Sequence, residues 1–190
     1  MLAIFKREFK SYFQNVIGWL FVAALLAVYG LYFYVYNLKN GYPYISYDLN
    51  GIGFIMMIAV PILTMRSLSD EKKTKTDQLM LTSPVSVGRI VAGKYFAMAA
   101  VYTIVIALFA LSPLVLSIYG KVALSEAYVA LFGYWLYGLS CIAVGLFISS
   151  ISESVIISAI LTFAALFLSY MMQSITGLIS SSGNLLTKVL

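Results

Sequence analysis

Residues 66–94 read RSLSDEKKTKTDQLMLTSPVSVGRIVAGK and form the one long polar interval in an otherwise apolar chain. The interval holds six of the twelve Lys and Arg residues (Arg66, Lys72, Lys73, Lys75, Arg89 and Lys94) and three of the seven acids (Asp70, Glu71 and Asp77). On both sides lie apolar runs long enough to cross a bilayer, which takes roughly 20 residues per helix. Of the 190 residues, 62% are hydrophobic and 10% charged, whereas a soluble domain carries about 25% charged residues. The mean hydropathy of +0.97 agrees. The expected fold is therefore all-α, a polytopic membrane helix bundle forming a single domain over residues 1–190.

Five spans are visible around the polar interval, at about 16–36, 49–65, 91–119, 125–149 and 154–173. Pro61 and Ser112-Pro113 are expected kinks, because proline removes a backbone hydrogen bond. Residues 1–15 are amphipathic at helical spacing. Leu2, Phe5, Phe9, Tyr12, Phe13 and Val16 fall on one face, and Lys6, Arg7, Lys10 and Gln14 on the other. That pattern suits a helix lying in the headgroup region; a charged flank of span one is the plainer reading. Tyrosines crowd the outer half of span one and the loop after it, at 29, 32, 34, 36, 42, 44 and 47. An interfacial aromatic belt explains them, and ligand stacking is the second reading. Residues 174–190 are Ser/Gly-rich and are read as an extracytoplasmic tail.

Basic residues orient the chain. With the N terminus inside, the inner segments carry nine Lys/Arg, three in 1–15 and six in 66–94, and the outer ones carry Lys39, Lys121 and Lys188. The polar interval is then cytoplasmic and the C terminus outside. The net charge of +5 reports orientation and implies no nucleic acid.

Apart from their ends, the spans hold no Asp, Glu, Lys, Arg or His. Such groups mark proton relays, ion sites and voltage sensors. Histidine is absent and Cys141 stands alone, which excludes an internal disulfide and a Cys/His metal site. No catalytic constellation and no metal site is visible, so energy for uphill movement must come from another polypeptide. A membrane enzyme would have to draw on Asp48, Glu126 and Glu153, the acids outside the interval nearest the surface.

Two stripes of small or hydroxylated residues remain. Gly138, Cys141, Gly145 and Ser149 repeat in span four, and Ser158, Thr162, Ser169 and Gln173 in span five. They read either as close helix packing or as a weakly polar wall of a substrate path. In the polar interval, Ser67 or Ser69 is expected to cap a short helix with Asp70 and Glu71 in its first turn. Ser83-Pro84 is expected to end it, and Pro84 or Ser86 to open the helix of span three. The result is an elbow able to dock a soluble partner, or a basic loop that only sets topology or recruits partners to a non-transporting scaffold.

Arg66, Asp70-Glu71-Lys72-Lys73, Thr76, Leu79, Leu81, Thr82, Pro84-Val85, Ile90 and Gly93-Lys94 follow one another in a recurring order. This order resembles the permease subunit of type-2 ABC exporters, especially the gliding-motility-like branch. There the loop between spans two and three carries R-x-x-x-E-E-R-R-x-G-T-x-x-x-L-x-x-[ST]-x-P-[VI] and then [IV]-x-x-G-K. Lys6-Arg7-Glu8 and Asn15-Val16-Ile17-Gly18-Trp19 are similar to the family's entry to span one, and the similarity covers roughly residues 1–150. Lys75 stands where the family often has Gly, and family members normally have six spans.

The resemblance implies an exporter permease without a catalytic site of its own, in a bacterial inner membrane. Arg66, Asp70, Glu71, Lys72, Lys73, Thr76, Leu79 and Pro84 would contact a cytoplasmic ABC ATPase, which would bind ATP and Mg. Lys6, Arg7, Glu8 and Lys10 would belong to a connecting helix on the membrane lipid. A second permease subunit, identical or not, would complete the unit. The permease itself would bind no cofactor.

Overall fold

The computed structural model describes residues 2–73, 75, 86–119 and 122–189, with side chains given up to residue 172 except at 3 and 119. Every regular element among the described residues is helical. In order these are α1 (Leu2–Gln14), α2 (Val16–Phe33) with a π-helical extension (Tyr34–Lys39), α3 (Ile45–Thr64), α4 (Ser69–Lys73), α5 (Val87–Phe109), α6 (Ser112–Tyr119), α7 (Leu124–Ile151) and α8 (Val155–Val189). Five helical stretches are long and apolar enough to cross a membrane: Val16–Lys39, Ile45–Lys73, Val87–Ile118, Leu124–Ile151 and Val155–Met172. The polytopic all-α bundle expected from the apolar runs is what the chain forms.

Helix α3 is the centre of the bundle and packs against α2, α7 and α8. Its Ile52, Met56, Met57, Val60 and Leu63 are almost wholly buried. Helix α5 sits beside α2 and α7 and carries α1 along its flank. Span three breaks after Phe109, where Ser112 Oγ donates to Phe109 O at 2.7 Å and Pro113 follows.

Three boundaries differ from the sequence reading. The loop after span one is short, because α2 runs on as a π-helix and α3 already begins at Ile45. Asn37 and Asp48, read as loop residues, are both buried, and Asn37 Nδ2 donates to Asp48 Oδ2. Asp48 lies in the first turn of α3, where the helix dipole favours a carboxylate. Pro61 is carried inside α3, which ends at Thr64, within a residue of the expected end of span two. The tail is no separate segment but the continuation of α8 to Val189. Its glycines each cost about 1 kcal/mol in a helix, and no proline is there to stop it.

Helix α1 is distinct from span one. Asn15 breaks the helix with an extended backbone (φ −95, ψ 153). Phe5 stacks on Phe9 and Phe9 packs on Phe13, with ring centroids 5.8 and 5.1 Å apart. Of the tyrosine cluster, Tyr29 is core, stacked on Phe109 at 3.9 Å, while Tyr42, Tyr44 and Tyr47 are exposed.

Candidate coupling site

After Thr64 the chain turns through Met65–Leu68, with Ser67 N donating to Thr64 O at 3.0 Å. Helix α4 follows, with Asp70 and Glu71 in its first turn and Lys72 and Lys73 in its last. That order matches the helix dipole at both ends. The expected capping serine is not local. Ser149, at the end of α7, accepts the backbone N–H groups of Leu68 and Ser69 on its Oγ, both at 3.2 Å. Ser69 Oγ in turn donates to Ser149 O at 3.0 Å. Ser69 is fully buried there and spends its hydroxyl on α7 instead of on its own helix. Lys72 Nζ donates to Ser150 O, one residue further on. The start of α4 is therefore fastened to the end of span four.

A second fastening holds its other side. Lys94, in α5, is 2% exposed, and its ammonium lies 2.6 Å from Glu71 Oε1, 2.8 Å from Ser67 O and 3.5 Å from Glu8 Oε1. An ammonium has three donors and no acceptor, so three oxygens from two other elements suit it. Arg7 adds a more exposed contact, with Nη2 2.8 Å from Glu8 Oε1 and 3.9 Å from Glu71 Oε1. Tyr12 donates to Leu63 O at 3.4 Å. Burial raises its phenol well above the ordinary value, and Glu8 and Glu71 push the same way. These groups surround a cleft of about 410 Å³ that Arg66 and Asp70 also line. Helix α1, the α4 segment and α5 thus meet in one ionic clasp.

Of the residues assigned to coupling, Arg66, Asp70 and Lys73 are exposed, and Glu71 and Lys72 are engaged in the two fastenings. Thr76, Leu79, Pro84 and the Ser83-Pro84 elbow lie outside the described residues. Lys75 has φ 56, in the left-handed region that glycine favours. The backbone there has the conformation that the family's Gly would take. On α1, Lys6 and Lys10 are exposed, while Arg7 and Glu8 reach the clasp. Lys94 was legible only as part of a motif; its partners lie 23 and 86 positions away.

The two stripes are mostly packing surfaces. A Cβ on Gly138 would stand 2.3 Å from the Tyr102 ring, and one on Gly145 2.5 Å from Thr64 Oγ1. Ser158 and Thr162 are fully buried. Ser169 is exposed beside a second cavity, and the Gln173 side chain lies outside the described residues. The ring of Tyr102 is itself buried and its Oη donates to Tyr134 O at 2.8 Å. Gly138→Ala is therefore expected to destabilise the chain by roughly 1–3 kcal/mol, as overpacking does. Gly133→Ala, whose Cβ meets nothing within 4 Å in the interior of α7, is expected to stabilise by up to about 1 kcal/mol. Thermal denaturation of the two variants in detergent checks the difference.

The bundle and its doubly fastened polar segment define a multi-pass membrane protein built around a joint between spans two and three. Over residues 32–189 the chain matches the family described as ABC-2 family transporter protein. It belongs to that family and is a membrane permease component of an ABC transporter. The match takes in α3 to α8 and the segment between spans two and three, and leaves out α1 and most of α2. No curated protein and no solved structure matches the chain.

Proposed function

We propose that the chain is the permease subunit of an ATP-driven exporter and that a separate ATPase docks on residues 66–90. The carrying observation is the pair of fastenings on α4. A force applied to this helix reaches span four through Ser149, span three through Lys94 and α1 through Glu8. A topological loop would not need such connections. The basic excess in 1–15 and 66–94 supports placing this end in the cytoplasm of a bacterial cell, with the N terminus on the same side. The Phe5–Phe9–Phe13 row supports α1 lying on the inner leaflet. ATP and Mg would be held by the partner, and two permease subunits would share the work. The family's gliding-motility-like branch is the reading that the loop motif favours.

Asp70 and Lys73 are exposed on α4 and lie outside the Lys94 contacts. Their joint reversal, Asp70→Lys with Lys73→Glu, is expected to weaken ATPase docking about tenfold, the factor that ~1.4 kcal/mol represents. Substrate-stimulated ATP hydrolysis should fall with it, while membrane insertion stays intact. Unchanged co-purification and unchanged stimulation would count against the docking site.

A further inference from the structure

At the other end of the bundle, α3, α7 and α8 part around a cavity of about 350 Å³. Asn50, which lines it, precedes Thr64 by 14 residues of α3. That is about 21 Å along a helix, so the cavity lies well away from the clasp. Ser46 and Asn50 face it from α3, Tyr134 and Tyr137 from α7, and Ser169 and Tyr170 from α8. Gly53 and Gly133 also line it, and a Cβ on either would meet nothing within 4 Å.

The chemistry of this lining is specific. It offers hydroxyls, an amide and three tyrosine rings, and no charged side chain among the described residues. Tyr134 Oη is itself closed off, so Tyr134 offers its ring, and the exposed Ser46, Asn50, Ser169 and Tyr170 offer the polar atoms. Asn50 uses one amide hydrogen on Ser46 O at 3.0 Å. Unmet polar groups are costly within a bilayer, where no water replaces the missing partner. An ionic head would lose its hydration here and find no counter-charge. A sugar ring answers both features, because its hydroxyls donate and accept while its C–H face packs on tyrosine.

We propose that this cavity binds the uncharged, hydroxyl-bearing head of an amphiphile of the alkyl or lipid glycoside class. Ser46, Ser169 and Tyr170 are exposed at its mouth, where the head enters. Leu49 and Ala130 provide apolar wall for the first methylenes of the tail. As a statement about transported cargo this rests on the permease reading above; as a binding site it stands without it.

The test uses the whole chain in phosphatidylcholine vesicles, without ATP or ATPase. Photoactivatable octyl glucoside and octyl sulfate of equal chain length are the probes. The glucoside is expected to label peptides carrying Tyr134, Tyr137 and Tyr170 about tenfold more than the sulfate does. Gly133→Leu, which fills the cavity, should cut that labelling about tenfold. If that variant does not insert, Asn50→Leu carries the same comparison, because it removes the amide and keeps the space. Equal labelling by both probes, labelling spread evenly over the outward-facing helices, or labelling unchanged in the inserted variant would overturn the proposal. So would cross-linking of Ser169→Cys between two copies that block the cavity against the glucoside. Loss of ATPase docking with glucoside binding intact would overturn the exporter reading alone.

Discussion

Lys94→Ala is expected to cost the purified chain roughly 3–5 kcal/mol, the loss seen when one partner of a buried ion pair is removed. The ammonium is 2% exposed and faces Glu71 at 2.6 Å and Glu8 at 3.5 Å. Without it, two carboxylates share a cleft that has lost its buried cation. Arg7, 59% exposed, remains within reach of both. Removing all three charges, as Lys94→Met with Glu8→Gln and Glu71→Gln, should restore most of the stability, because no buried charge is then left uncompensated. The triple variant should still fail to couple ATP hydrolysis to transport, since the tie between α4 and span three is gone. Thermal denaturation in detergent separates the two effects from the coupling assay. A Lys94→Ala chain as stable as its parent would mean that the clasp bears no load.

Gly18→Val is the second large expected effect. A Cβ at this position would stand 2.3 Å from Tyr12 O and 2.8 Å from Tyr12 C, both backbone atoms. A side-chain neighbour can rotate away; a backbone cannot. Helix α1 must then lift from α2, although Trp19 Nε1 donates to Phe13 O at 2.9 Å and helps to hold it down. Lifting α1 withdraws Tyr12 from Leu63 and Glu8 from Lys94. The expected cost is about 3 kcal/mol, the upper end for overpacking. Hydrogen exchange across residues 2–14 should rise with the substitution. Unchanged protection there would show that α1 is held by something other than this contact.

The five spans are legible in the sequence because crossing a bilayer demands a contiguous apolar run, and contiguity is what a sequence displays. The polar joint is legible for the complementary reason. Its connections are not. Ser149 reads as one more small residue in the stripe that includes Gly138 and Gly145, yet it caps a helix that starts 80 positions earlier. Glu8 reads as part of an amphipathic pattern and Lys94 as part of a motif. Their meeting depends on α1 folding back over α2 at Gly18. The outer boundaries fail similarly, because Asn37 and Asp48 look like loop residues until their partnership draws both into helices. The candidate cavity is least legible of all. Its tyrosines sit in spans four and five, away from the tyrosine-rich stretch of span one that attracts the eye.

The contacts around α4 differ in how they respond to salt. Ions screen exposed charges over about 8 Å at physiological strength, and buried pairs far less. Arg7 is therefore open to screening, and its hold on Glu8 and Glu71 weakens as ionic strength rises. The Ser149 cap carries no charge and Lys94 is shielded, so neither yields in that way. The joint has one edge that senses its electrolyte and one that does not. Concentrated salt loosens Arg7 first and leaves α4 held by its cap on span four and by Lys94 of span three.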